Sequence, residues 1–301
     1  MSNSTAIIDV DGRRTRVRVD GDRTNSRVVL LHGIGRSLED WAPQFWRLSG
    51  SHRVISMDLP GSGFTQRSTS PTSLPVLARG VLATLDELGE GRPLHVMGNS
   101  LGGAVAQQLT MLAPERVASL VLVSSAGFGK EVALPLRLLS APVLGRFMAT
   151  HTTTSSARMA ERMLFANPKL ATASRVEHAI AIARQPGTAE VVWETAQALA
   201  TLRGGVRREW REALSTSVAA AGKPTLVLWG DRDRILPARQ LEEARRLLPH
   251  ASSHLIEGVG HMPQIERPDE FATLVLDFLA SVDRANQPRK PRRNPSMPTD
   301  L

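Results

Sequence analysis

The stretch Leu94-His95-Val96-Met97-Gly98-Asn99-Ser100-Leu101-Gly102-Gly103 decides how this 301-residue chain is read. A short apolar run leads into Gly-x-Ser-x-Gly, and a helix-length segment, Leu101 to Leu112, follows. A serine in that setting sits on a sharp strand-to-helix turn, the nucleophile elbow, where flanking glycines spare the backbone from clashes with Cβ atoms. Ser100 then stands at a helix N-terminus, where free N–H groups and the macrodipole favour negative charge. The surroundings matter as much as the pentapeptide: strand before, helix after.

Working outward, Arg27-Val28-Val29-Leu30-Leu31, Val54-Ile55-Ser56-Met57 and Leu120-Val121-Leu122-Val123 have the same texture as Leu94 to Met97. Continuous apolar runs of this length suit strands buried on both faces of a parallel sheet. Helix-length stretches such as Pro75 to Leu88 lie between them, which predicts a wound α/β sheet with right-handed crossovers. Ahead of these runs, Ala6 to Val10 and Arg14 to Val19 flank Asp11-Gly12, a hairpin signal.

The rhythm stops near Ala126. From Phe128 to Ser217 leucine, alanine and methionine recur at three- and four-residue spacing, so an all-helical insertion is predicted to form a cap over the sheet. Strand and helix then resume with Thr225 to Trp229, Ala238 to Leu248, Ser253 to Ile256 and a closing helix over Pro268 to Ser281. The expected organisation is a core made of 1–127 and 218–283, a cap over 128–217, and a disordered basic tail over 284–301. That tail has four prolines and few apolar residues.

Composition narrows the function. With 42% hydrophobic and 22% charged residues the chain can build a core. The absence of cysteine excludes disulfides, zinc–thiolate sites, iron–sulfur clusters and a cysteine nucleophile. The opening segment, Met1 to Asp9, lacks a basic stretch followed by a long apolar one, so it does not read as a signal peptide. No window approaches the ~18 apolar residues of a membrane span. The expectation is a cytoplasmic protein with room for peripheral membrane contact.

A net charge of +8 invites a nucleic-acid reading. Its distribution argues otherwise. The tail holds five basic residues against one acidic, and the insertion 12 against 7, which leaves the core at −1. Aromatic residues are 4% and tyrosine is absent, so no stacking platform accompanies the charge. No nucleic-acid partner is expected.

A serine hydroxyl needs a base, and the base an orienting acid. Of eight histidines, His261 stands on a loop, Gly258-Val259-Gly260-His261-Met262-Pro263, after the last strand and before the last helix. His254 lies within that strand and reads as a surface or packing residue. His32, directly after a strand in His32-Gly33-Ile34-Gly35, reads as a loop former. For the acid, Trp229-Gly230-Asp231-Arg232-Asp233 offers two aspartates after an apolar strand, and spacing does not choose between them. Asp58 in Asp58-Leu59-Pro60-Gly61-Ser62-Gly63 reads as a turn residue that accepts from backbone N–H groups.

Together, the order Ser…Asp…His, the elbow, the His-Gly loop, Asp-Leu-Pro-Gly-Ser-Gly, Trp-Gly-Asp-Arg-Asp and Gly-His-Met-Pro resemble the α/β-hydrolase superfamily over roughly residues 5–282. The resemblance implies an eight-stranded, mostly parallel sheet with only the second strand antiparallel, and a helical cap inserted after strand 6. In the family pattern Trp-Gly-x-x-Asp the acid is Asp233. The catalytic residues are then Ser100, Asp233 and His261, with the backbone N–H groups of Ile34 and Leu101 as the oxyanion hole and no metal or organic cofactor required.

The family pattern is shared by several reactions. A serine in the elbow argues against haloalkane dehalogenases and epoxide hydrolases, which carry aspartate there. Gly-Asn-Ser-Leu-Gly-Gly is similar to meta-cleavage-product hydrolases, which cut carbon–carbon bonds, yet those commonly carry tryptophan after the catalytic histidine and this chain has Met262. A cofactor-free haloperoxidase, an iminopeptidase and a non-catalytic ligand-binding module are further alternatives. The favoured expectation is a serine esterase or lipase acting on carboxylic esters or thioesters. Its substrate would be a small ester with an apolar acyl part, and cap and tail would contact an anionic lipid surface.

Overall fold

Along β5 (Leu94–Asn99) every residue is buried, and its neighbours alternate: Val96 packs on one side of the sheet and Met97 on the other. The computed structural model describes residues 5–286. The chain runs β1 (Ala6–Val10), β2 (Arg13–Asp20), β3 (Arg27–Leu31), α1 (Ala42–Leu48), β4 (Arg53–Met57), α2 (Leu74–Glu87), β5, α3 (Leu101–Leu112) and β6 (Val117–Val123). Then come α4 (Leu134–Leu139), α5 (Pro142–Thr150), α6 (Thr154–Leu164), α7 (Ala173–Ala183) and α8 (Thr188–Leu199), followed by a small pair, β7 (Ala200–Thr201) and β8 (Gly205–Val206). The chain closes with α9 (Arg208–Ala221), β9 (Thr225–Gly230), α10 (Gln240–Leu247), β10 (Ser252–Ile256), α11 (Pro263–Glu266) and α12 (Pro268–Asn286).

Eight strands form one sheet in the order β1-β2-β4-β3-β5-β6-β9-β10. Only β2 opposes its neighbours, pairing antiparallel with both β1 and β4, while β4, β3, β5, β6, β9 and β10 are mutually parallel. The sheet is therefore eight-stranded, mostly parallel, with a reversed second strand and helices inserted after β6. The apolar runs split by parity. Val29, Leu31, Leu120, Leu122, Val227 and Trp229 join one layer with α2, α3 and α9. Val28, Leu30, Val121, Val123, Leu226 and Leu228 join the opposite layer, where α1 and α12 pack. Burial on both faces is what made these strands read as unbroken apolar runs.

Two boundaries differ from the sequence reading. Helix α9 crosses position 217, and its Leu214 and Val218 belong to the core layer against α3, so the insertion ends ahead of it. Its mean hydropathy is low because one face is solvated, and spacing alone assigned it to the wrong body. Helix α12 continues to Asn286, three residues past 283, where Val282 is still buried and Asp283 meets His95 of β5. The remainder of the expected tail, 287–301, lies outside the described residues. Among the described residues no helix is long and apolar enough to cross a membrane.

Candidate active site

Ser100 is the residue between β5 and α3, with φ 55° and ψ −115°. This strained conformation is held from both sides: the Ser100 N–H donates to Val123 O (3.0 Å) and the Ser100 carbonyl accepts from Ala126 N–H (3.1 Å). The elbow's glycines are forced by contact. A Cβ on Gly98 would stand 2.2 Å from the Gly102 carbonyl oxygen, and one on Gly102 would stand 2.1 Å from the Leu31 carbonyl oxygen. No side chain larger than hydrogen fits either place.

The Asn99 amide, unmarked by any sequence signal beyond its place in the elbow, donates to Val123 O (3.1 Å) and to His261 O (3.0 Å). It ties the serine turn to the histidine loop across 162 residues of chain. His261 is buried and its Nδ1 lies 2.7 Å from Asp233 Oδ2. The other carboxylate oxygen of Asp233 accepts from Ile235 N–H (2.8 Å) and Leu236 N–H (3.0 Å), so the acid is fixed and buried. Asp231, the alternative acid, is exposed and accepts from Val259 N–H instead. The structure thus separates two aspartates that spacing left equal.

Ile34 and Leu101 line the same apolar cavity as Ser100, with Leu136, Trp210 and Leu236 among its other walls. Gly33 brings the loop close: a Cβ there would come within 3.5 Å of the Ser100 Cβ. The loop itself is shaped by His32, whose Nε2 accepts from Leu59 N–H (2.9 Å), leaving the Nδ1 proton for Gly33 O (2.8 Å). Asp58 accepts from Leu38 N–H (2.8 Å) and Phe64 N–H (2.9 Å), the turn role read from the sequence. His254 is exposed on edge strand β10.

Burial pushes the His32 imidazole below its usual range, partly opposed by Asp58, and burial does the same to His52 and His95. A histidine that is harder to protonate folded than unfolded contributes stability above its unfolded value, about 6.5, and loses it as pH falls toward the folded value. Each such imidazole is worth about 1.4 kcal/mol per pH unit in that window. Unfolding free energy from denaturant titration should therefore be lower at pH 5.5 than at pH 7.5. A flat profile over that interval would sink the assignment.

The helical insertion contributes bonds that sequence reasoning did not find. Arg36, on the loop after Ile34, pairs with Asp40 (2.7 Å) and with Glu161 of α6. Arg175 of α7 closes the ring, reaching Asp40 (3.0 Å) and Glu161 (2.9 Å). Burial alone would push the Asp40 carboxyl up, but the Arg36 and Arg175 guanidiniums outweigh it and hold it well below the usual carboxylate range. At the end of α6, Leu164 O accepts from His261 N–H (2.8 Å). Glu266 accepts from Gly260 N–H (2.8 Å) and Ala166 N–H (2.9 Å). One segment of the insertion thus braces both the Ile34 loop and the His261 loop. No local motif announces a contact between residues 36 and 161.

The family model for the alpha/beta hydrolase fold matches residues 26–268. The chain belongs to the α/β-hydrolase family. Within it, the chain is 32% identical over 271 residues to the dihydrolipoyllysine-residue acetyltransferase component of the acetoin cleaving system of Cupriavidus necator, covering 90% of this chain and 68% of that one. It is 30% identical to a 2-hydroxymuconate semialdehyde hydrolase of Pseudomonas sp. strain CF600, over 86% of this chain and 88% of that protein. The crystal structure of a membrane phospholipase A superposes on this α/β-hydrolase with a TM-score of 0.74 and 26% identity, over 93% of this chain and 86% of that one.

Proposed function

We propose that this α/β-hydrolase is a serine hydrolase that cleaves carboxylic esters or thioesters with an apolar acyl group through an acyl-enzyme. The observation that carries the reading is the buried Asp233–His261 pair at 2.7 Å, tied through Asn99 to the strained Ser100 on an apolar cavity. His261 takes the Ser100 proton as the hydroxyl attacks the carbonyl carbon, and Asp233 orients the imidazole and stabilises its protonated form. The Leu101 and Ile34 N–H groups hold the oxyanion, each worth roughly 10²–10³ in rate. Collapse of the tetrahedral adduct returns the proton from His261 to the leaving alcohol or thiol. Water activated by His261 then releases the acid.

The cavity beside Ser100 favours an acyl chain. None of its lining residues is charged, and the apolar insertion residues Leu136 and Leu199 form part of it together with Trp210 of α9. A ring-fission dienoate carries a carboxylate, which would be left without a counter-charge there. The carbon–carbon reading keeps support from the likeness to the semialdehyde hydrolase and to other ring-fission-product hydrolases. Other insertion residues face outward: Val143 is 84%, Met159 66% and Phe147 58% exposed, and Met159 shares a surface depression with Arg158, Arg162 and Arg234. Apolar side chains among arginines suit an anionic lipid surface as the place where the ester is met.

A substrate panel tests the reading. Short esters, long-chain esters, thioesters, phospholipids and a ring-fission dienone are compared with and without anionic vesicles. The expected order has long-chain esters or thioesters at least about tenfold ahead in kcat/KM, as two further buried methylenes would supply. Preferred turnover of the dienone overturns the ester reading, and indifference to vesicles removes the lipid surface.

A further inference from the structure

At the pole of the sheet opposite Ser100, two buried histidines face one carboxylate. His95, near the start of β5, places Nε2 3.1 Å from Asp283 Oδ1, and His52, just ahead of β4, places Nε2 3.7 Å from Asp283 Oδ2. Side-chain atoms of all three lie within 4.8 Å of one another, the one such group of metal-ligating side chains among the described residues. Asp283 sits in the last turns of α12 and is partly open to a cleft of about 640 Å³ that also meets His95.

We propose that His52, His95 and Asp283 form a binding site for Zn²⁺ or a similar first-row divalent ion, separate from the hydrolytic centre. Two imidazoles and a carboxylate are the donor set such ions prefer over magnesium or calcium. Tetrahedral ligands at about 2.0–2.1 Å from zinc lie about 3.3 Å apart, close to the 3.1 and 3.7 Å found. The absence of cysteine removes thiolate sites and leaves this chemistry open.

The outer hydrogen bonds fit as well. Nδ1 of His95 meets Ser119 Oγ at 2.7 Å, and Nδ1 of His52 meets Ser51 Oγ at 2.8 Å. A hydroxyl can donate or accept. Without metal, a proton on His95 Nε2 would donate to Asp283 while the Ser119 hydroxyl donates to Nδ1. With metal, the proton resides on Nδ1, the serine accepts it, and Nε2 presents its lone pair to the ion. The change of tautomer keeps a partner on every ring nitrogen, and the outer partner fixes the ring as second-layer partners of metal ligands do. Ser26 Oγ, 2.5 Å from Asp283 Oδ2, orients the carboxylate. The fourth position faces the cleft and takes water.

The test is calorimetric titration of the untagged, chelator-treated full chain with Zn²⁺, together with Co²⁺ absorption spectra. One Zn²⁺ per chain is expected, with a thermal midpoint raised by zinc and the intense visible bands of tetrahedral Co²⁺. Asp283→Asn, nearly isosteric, should weaken binding at least about 100-fold, and Ser119→Ala about tenfold, as loss of an outer partner does. Circular dichroism checks that both variants fold, and ester turnover should be the same with zinc and with chelator. Absence of one-to-one binding, octahedral Co²⁺ spectra, or equal affinity in folded Asp283→Asn overturns the site. Hydrolysis tests leave it untouched, since none of the three residues approaches Ser100.

Discussion

Ser100→Ala is expected to lower kcat by roughly 10⁶-fold, to a residue supported only by binding and the oxyanion donors, because a triad acts as a unit. Labelling by a fluorophosphonate should vanish with it. The variant should stay folded for reasons visible in the structure. Alanine keeps the same Cβ at φ 55°, so the elbow's strain is unchanged, and the Ser100 side chain makes no capping hydrogen bond that would be lost. The two backbone bonds that hold the turn, to Val123 and from Ala126, do not involve the hydroxyl. A denaturation midpoint near that of the parent, with turnover gone, is the expected pair of results. Retained labelling would remove Ser100 from the proposed chemistry.

The second large effect concerns the ring of charges that joins the insertion to the core. Glu161→Gln should destabilise the protein by about 3–5 kcal/mol, since removing one member of a buried ion pair leaves charge uncompensated. Glu161 is buried and serves both Arg36 and Arg175, so its loss leaves two guanidiniums to share Asp40. An exposed pair such as Arg208–Glu212, removed in the same way, should cost far less, because solvent screens it. Denaturant titration of both variants makes the comparison. In the proposed mechanism, loosening α6 also frees the Ile34 loop through Arg36 and the His261 loop through Leu164, so kcat should fall more than KM rises. A Glu161→Gln protein within about 1 kcal/mol of the parent would show that the ring contributes no more than a surface pair.

Most of the scaffold was legible because its signals are local. Apolar runs buried on both faces, helix-length spacers and the Gly-x-Ser-x-Gly turn each follow from neighbours along the chain, and helix Leu101–Leu112 appears with the bounds read from the sequence. The insertion was legible only as helix. Leu136 lines the cavity beside the serine, Phe165 is buried, and Val143 and Met159 face solvent, although all four carry the same apolar signature. Which way a helix turns depends on what it packs against, and that is a long-range fact. The same holds for α9, placed with the insertion by its spacing and with the core by its contacts.

The sequence by itself determined the wound sheet, the elbow turn at Ser100 and the loop position of His261 after the last strand, because turn sterics and strand burial leave their mark within a few residues. It reached Asp233 over Asp231 only through family resemblance. Tertiary structure decided the rest: that Asp233 meets His261 across 28 residues, that Asn99 fastens the two loops, that Arg36 and Glu161 share a buried ring, and that His52, His95 and Asp283 converge. Each of these joins partners distant in the chain, and a hydrogen bond or ion pair between distant residues leaves no periodicity for a sequence to display.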